Sequence, residues 1–497
     1  MFNKTSPAIA LSAIALLAPL CASAQWTPQA TQLLNFCLAN PNDCSISINH
    51  ISGGWQKDYH GTRLNVLAST FKLVPLIAYG EAVARGRLNP NTVVSRDQWA
   101  EFWTGQDGGA LSKAWNRLGQ PLTVTLDQMA GAMIQESDNA TPDYLLDKLG
   151  AGAMQDVIAR YAPGYLDMPE SIGAMFTAWM GMPGSPFTGA TYLANDSGMG
   201  AFGYHLKLDG LFSYLHDPVH VQAQRTFVCA TLPWQAPPPS CTFGSGITEA
   251  VQRALLTGYF PESNTRTYTQ LMTGLLKRNL LPQHVQSVIE PHLEWWLSTP
   301  TGQGFRRYGA KGGSLGTAQG YAVLTWTSYV ETTQGAEAVV TIHLRDSAYG
   351  SNILQALGPG MAHFADALVE DPAFAESVRS QLPEDAPLPD LIPRVTYVES
   401  DFPKGKPTQL KVLNIGTAAT TRATTLAVYL APTSQIPPNA APSFTFLVPP
   451  LAPGREMDFK ITRDFGQYII TVVDPQNLIV ESDKQNNIQY EKSFALK

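Results

Sequence analysis

The chain reads as two globular parts in series, a mixed helix-and-strand part followed by a small all-β sandwich, and three observations predict this. Its 497 residues, 44% apolar and 15% charged, are ample for two hydrophobic cores. The uninterrupted apolar run Leu73 to Ala84 has the length and composition of a buried helix. Finally, the composition changes at Gln381-Leu-Pro-Glu-Asp-Ala-Pro-Leu-Pro-Asp390, where acidic residues and prolines close a helical stretch, Met361 to Ser380, itself broken at Pro372. Beyond it, Val395–Val398, Thr408–Leu413, Thr424–Leu430, Ser443–Leu447, Glu456–Ile461 and Tyr468–Val473 are short β-rich runs separated by Gly, Pro and Asn turns.

The N-terminus carries an address. Met1 to Ala24 has a lysine in a short polar start, an apolar core from Ala8 to Leu20 and Ala22-Ser23-Ala24 before Gln25, the anatomy of a cleavable secretory signal. Cys21 follows Leu20 and not the small residue a lipoprotein signal prefers, which argues against a lipid anchor. No later run reaches the roughly 20 apolar residues of a spanning helix. The expected location is periplasmic or secreted. Such a compartment permits disulfides, and the four remaining cysteines form two close pairs, Cys37 with Cys44 and Cys229 with Cys241, out of three pairings that four cysteines allow. Zinc is the alternative, but neither spacing matches a ligand knuckle. His216-x-x-x-His220 contains Pro218 and no Glu, so these histidines are read as loop residues. No cofactor is implied. A net charge of −7 argues against nucleic acid as partner.

Chemistry is suggested by three short polar segments. In Ser69-Thr70-Phe71-Lys72 the hydroxyl and amine stand three apart at the start of the apolar helix, so they share a face. A serine needs a base to become a nucleophile, and a desolvated lysine flanked by another cation can be neutral enough to serve. By itself the tetrapeptide would be read as a helix start with Ser69 as N-cap. Ser137-Asp138-Asn139 lies between two helical patterns, where those residues are ordinary turn and cap formers. Lys311-Gly312-Gly313-Ser314 precedes a run rich in Tyr, Val, Leu, Trp and Thr, Gln319 to Thr327, that suits a strand.

Taken together, and in this order, the three segments resemble the signature of class A β-lactamases and penicillin-binding D,D-peptidases, Ser-x-x-Lys, Ser-Asp-Asn and Lys-Thr-Gly. The stretch Val124 to Gly150 is similar to that family's helix, Ser-Asp-Asn turn and next helix. The resemblance implies an α/β (α+β) β-lactamase/transpeptidase-like catalytic domain with an antiparallel sheet and an all-helical part. It implies Ser69 as nucleophile, Lys72 as base and Ser137 as proton relay. Asn139 and Lys311 would hold the substrate, and Gly313 would let it approach the strand. The oxyanion donors would be the Ser69 and Ser314 amides, one such donor being worth roughly 3 to 4 kcal/mol in the transition state.

The sequence departs from that pattern in three places. Gly312 stands where Thr or Ser is common. The region Tyr161 to Met182 lacks the family's Glu-x-x-x-Asn, since its single glutamate, Glu170, is followed four positions on by Ala174. Glu170 is therefore the candidate deacylation base, and an ordinary loop glutamate is the competing reading. The interval of 174 positions between Ser137 and Lys311 exceeds the family's, so an insertion lies between them, its likeliest location including the proline-rich Ala230 to Cys241 loop. A rival motif overlaps the third segment. Gly312-Gly313-Ser314-Leu315-Gly316 fits the G-x-S-x-G nucleophile elbow, with Asp346 and His363 following, although the flanks lack the strand-then-helix context it demands.

The tail resembles bacterial cell-adhesion-related (CARDB) domains, Ig-like sandwiches, through Pro389-Asp390-Leu391, Asn414-x-Gly416, Asp474, Glu481-Ser482-Asp483 and Asn486-Asn487. Its late acidic residues fit a calcium ion or, more commonly, turns. The expected organisation is a signal peptide at 1–24, a serine hydrolase domain at 25–385 and an accessory sandwich at 386–497. The expected activity is attack on an amide or ester carbonyl in a small-molecule or peptidoglycan-like substrate: a β-lactam, a stem peptide or a small ester. The tail would contact a cell surface or wall. A secreted adhesion protein that keeps the hydrolase fold for binding alone is the alternative from another class.

Overall fold

The computed structural model describes residues 26–105, 107–167, 171–181, 211–236, 248, 252, 260–316, 322–347, 352–396, 407–431, 436–437, 439–462, 468–482, 484 and 486–492. The expected export signal, Cys241 and Glu170 lie outside the described residues, and so does the side chain of Asp346.

The first part is built on a five-stranded antiparallel sheet. Its strands β1 (Cys44–His50), β2 (Trp55–Tyr59), β7 (Phe305–Gly316), β8 (Ala322–Thr332) and β9 (Glu337–Ser347) run in the order β2-β1-β9-β8-β7. Between β2 and β7 the chain makes two short ladders, β3 (Asn65–Val66) with β6 (Glu262–Ser263) and β4 (Val93–Ser95) with β5 (Thr123–Thr125). Among the helices are α1 (Thr27–Ala39), α2 (Leu73–Ala84), α3 (Ala110–Arg117), α4 (Leu126–Gln135), α5 (Ala140–Leu149), α6 (Ile172–Met180), α7 (Thr265–Leu276), α8 (Gln283–Leu293), α9 (Asn352–Ala362), α10 (Phe364–Glu370) and α11 (Pro372–Gln381).

The sheet is buried on both faces, and β8 shows how its alternation sorts the two cores. Val323 and Tyr329 join a cluster with α2, α4 and α6 to α8. Their neighbours Leu324 and Val330 join the opposite cluster, with α1 and α9 to α11. Side chains of period two thus serve two layers of helices. α1 is fastened to β1 by the Cys37–Cys44 disulfide, whose Cα atoms are 5.3 Å apart, as the first cysteine pairing expected. The run predicted as a buried helix is α2, with the expected bounds, and Leu73 to Ala82 are all buried. The stretch broken at Pro372 becomes the pair α10 and α11, with Asp371 capping α11 through Ala373 N and Phe374 N.

The tail forms two antiparallel sheets. β10 (Leu391–Thr396), β11 (Pro407–Asn414) and β14 (Glu456–Thr462) make one; β13 (Phe444–Val448), β12 (Thr424–Ala431), β15 (Tyr468–Val473) and β16 (Ile488–Lys492) make the other, in those orders. Leu410, Val412, Leu426, Val428, Phe459 and Ile469 fill the core between them. The sandwich meets the first part along a seam. Ile392, Leu413 and Ile415 pack with Leu64 and Tyr165, Thr62 Oγ1 donates to Ser482 Oγ at 3.1 Å, and Arg394 Nη2 donates to Leu166 O at 2.9 Å.

No helix among the described residues is long and apolar enough to cross a membrane.

Candidate active site

Ser69 lies in a short 3₁₀ segment, Ala68–Lys72, that runs straight into α2. At three residues per turn, positions i and i+3 eclipse, which places Lys72 under Ser69. The turn opens on Ala68 with φ of +45°, a conformation that costs an L-residue roughly 1 to 2 kcal/mol. Hydrogen bonds around Leu67 hold it there. Leu67 O accepts from Thr325 Oγ1 at 2.8 Å and Thr70 Oγ1 at 2.6 Å, and Leu67 N donates to Pro261 O at 2.9 Å.

Lys72 is fully buried, and burial is the chief reason its ammonium is pulled down to about 8, the charges of Asp138, Asp107 and Asp143 opposing the fall. Nζ donates to Ser137 O at 2.6 Å, Asn139 Oδ1 at 2.6 Å and Ser137 Oγ at 3.2 Å. The first two partners are acceptors only. A neutral Lys72 therefore spends its two N–H groups on them and keeps its lone pair for a hydroxyl. Ser69 Oγ makes no hydrogen bond among the described residues.

The Ser-Asp-Asn segment is the turn between α4 and α5, as the sequence predicts. Ser137 adopts φ of +66°, and its carbonyl and hydroxyl both face Lys72. Asp138 caps the start of α5 through Ala140 N at 2.8 Å and Thr141 N at 3.1 Å, while burial raises its carboxyl to about 6. Across the cleft, Lys311 Nζ donates to the same Ser137 Oγ at 2.9 Å and to Gly312 O at 2.6 Å. Burial, with the nearby Lys72 charge, holds the Lys311 ammonium well below the ordinary lysine range. One hydroxyl thus bridges two lysines.

Gly312, Gly313 and Ser314 lie near the end of β7, opposite Trp326, Thr325 and Leu324 of β8. A Cβ on Gly313 would overlap Ser69 N and stand 2.8 Å from Thr325 Oγ1 and 2.9 Å from Ala68 Cβ. The strand backbone is packed directly on the Ser69 amide, which is why glycine is needed here. Because the segment is continuous strand to Gly316, the nucleophile-elbow alternative fails: no helix starts at Ser314. His363 bonds to Asp366 at 2.8 Å instead. Of the two histidines read as loop residues, His216 does lie in a turn, and only His220 is placed differently. His216 bonds to Asp147 at 3.0 Å, and His220 lies on helix Pro218–Phe227, stacked on Tyr214. Among the described residues no group of three His, Cys, Asp or Glu side chains is placed to hold a metal.

Ser69, Ser137, Asn139, Gly313 and Ser314 line one cleft of about 450 Å³. Sequence reasoning missed the rest of its wall: Thr325 and Trp326 from β8, Asp107 and Lys113 at and before α3, and Ile172, Met175 and Phe176 from α6. It also missed Asp143, fully buried, which accepts from Ile172 N at 2.6 Å, Gly173 N at 2.7 Å and Ser171 Oγ at 3.0 Å and so joins α5 to α6. Burial raises its carboxyl to about 7. Asp143 follows Asn139 by one helical turn, a spacing that could have flagged it.

Residues 28–168 match the beta-lactamase enzyme family. The matched segment contains Ser69, Lys72, Ser137 and Asn139. Residues 388–491 match CARDB, so both resemblances read from the sequence hold. No curated protein matches the chain. Among solved structures, a β-lactamase from Chitinophaga pinensis aligns at 13% identity over 69% of this chain and 99% of its own, with a TM-score of 0.44. One from Sphaerobacter thermophilus aligns at 16% identity over 73% and 100%, with a TM-score of 0.38. A class A β-lactamase representative from Bacteroides cellulosilyticus aligns at 11% identity over 70% and 99%, with a TM-score of 0.42.

Proposed function

We propose that the chain is an exported β-lactamase-like serine hydrolase that acts through an acyl-enzyme on Ser69. The observation that carries this reading is Lys72: buried, its ammonium pulled down to about 8, in the same short turn as Ser69 and bonded to Ser137 and Asn139. In the first step the Ser69 Oγ to carbonyl-carbon bond forms as Lys72 takes the hydroxyl proton. The carbonyl oxygen gathers negative charge against the Ser69 and Ser314 amides. The bond to the leaving nitrogen or oxygen then breaks, and the leaving atom takes a proton from Ser137 Oγ, which is resupplied by Lys72. Lys311, which donates to Ser137 Oγ across the cleft, is the residue placed to meet a substrate anion, and burial keeps Lys72 from charging. Water then cleaves the Ser69 ester and releases the acid. Glu170 is the candidate base for that water.

The substrate is a β-lactam, a cell-wall stem peptide or a small ester, since each presents a carbonyl to this apparatus, and the CARDB-like segment would hold the enzyme to a surface. Intact-mass measurement of the mature protein with penicillins and cephalosporins, with Ser69→Ala as control, tests the proposal. A persistent adduct on Ser69 indicates a penicillin-binding role, a fleeting adduct with drug loss a β-lactamase. Absence of any adduct with β-lactams, and then with activated esters, refutes acyl-enzyme chemistry and leaves binding alone.

A further inference from the structure

We propose that the cleft selects acyl groups carrying an apolar side chain, seated against α6; this rests on the acyl-enzyme reading above. The groups around the cleft differ in kind. Ser137 Oγ, between Lys72 Nζ at 3.2 Å and Lys311 Nζ at 2.9 Å, gathers the proton-handling groups. A leaving group that takes its proton from this relay departs there, which leaves the rest of the cleft to the acyl side chain. Asn139 heads α5, and Asp143 one turn later pins the first turn of α6 beside it.

One wall of the cleft is hydrocarbon. α6, Ile-Gly-Ala-Met-Phe-Thr-Ala-Trp-Met, has no charged residue. Ile172, Met175 and Phe176, spaced i, i+3 and i+4 and so sharing one face, line the cleft together with Phe260. Ring contacts of Phe176 with Trp179 at 5.5 Å and of Trp179 with Phe260 at 6.3 Å set this wall in place. With about 450 Å³ in the cleft, several methylenes can be accommodated beyond the reacting carbonyl. Each methylene moved from water to such a wall strengthens binding about fourfold, until the wall is covered.

The test uses the full mature chain and two readouts. The first is the acylation rate of Ser69 by activated esters of straight-chain acids from acetyl to octanoyl, followed by intact mass. The second is binding of the matching unreactive N-acyl amides to Ser69→Ala, followed by tryptophan fluorescence. Both should rise about threefold to fourfold per methylene over the first few carbons. Met175→Gln, close in shape but polar, should lower the octanoyl-to-acetyl ratio at least tenfold, while Met175→Leu retains it. Acylation that is independent of chain length overturns this inference and leaves the acyl-enzyme reading intact. Binding that rises with chain length without any acylation upholds the apolar subsite and refutes the acyl-enzyme reading. An unchanged ratio in Met175→Gln also overturns the inference, because the selectivity would then arise elsewhere.

Discussion

Replacing Gly313 by alanine should disable acylation far more than the same change one residue earlier. At Gly313 the new methyl would overlap the Ser69 amide nitrogen and come within 2.8 Å of Thr325 Oγ1 and 2.9 Å of Ala68 Cβ. The worst contact is backbone and cannot rotate away. Relief requires β7 to retreat from the Ser69 turn by on the order of 1 Å, a displacement that can cost about a hundredfold in rate. Overpacking of this kind also costs about 1 to 3 kcal/mol of stability. At Gly312 the methyl would meet Trp326 Cε3 at 2.6 Å and Cζ3 at 2.8 Å, with the nearest backbone atom, Thr325 O, at 3.6 Å. A ring edge can shift, so Gly312→Ala should lose only about threefold to tenfold. Stopped-flow acylation with a chromogenic cephalosporin or an activated ester gives the rates, and thermal melting shows whether each variant is folded. If folded Gly313→Ala acylates within threefold of the parent, the strand does not need to lie against the Ser69 amide and the oxyanion assignment is wrong.

Three further outcomes are expected. Lys72 must be neutral to act as base, so with its ammonium at about 8 the acylation rate should climb about tenfold between pH 7 and pH 9 and then level. Asp138, at about 6, is largely ionised over that window and Asp143, at about 7, completes its ionisation at the lower edge, so a flat pH profile would remove Lys72 from the role. Asp143→Ala strands Ile172 N and Gly173 N, both buried, and should cost about 2 to 4 kcal/mol in urea unfolding, with Asp143→Asn losing less. Reducing the Cys37–Cys44 bond, which closes a short loop, should cost about 2 to 3 kcal/mol, read as a lower midpoint in the presence of reductant.

Local features were legible in the sequence and distant contacts were not. α2 was readable because every turn of it is apolar, and the Ser-Asp-Asn turn because it sits between two periodic segments. In the tail, five of the six β-rich runs coincide with strands to within a residue or two. The first strand begins earlier than expected, at Leu391, because Pro393 is tolerated on β10, an edge strand that can spare a donor. β16 was missed since Ile488-Gln-Tyr-Glu-Lys492 has little apolar alternation and is held by pairing with β15. The second wall of the cleft was unreadable for a similar reason. Met175 and Phe176 look like any buried helix residues until Asp143 brings α6 against α5, a contact 28 to 30 positions away in the chain.

The seam changes what the C-terminal sandwich is to the rest of the chain. Leu64 and Tyr165, on which Ile392, Leu413 and Ile415 rest, stand just ahead of the two segments that lead to Ser69 and to α6. A module joined only by a tether could be exchanged freely for another of its kind. This one shares apolar surface with the approaches to both walls of the cleft, so a change of side chain on one side of the seam alters the packing its neighbour meets on the other.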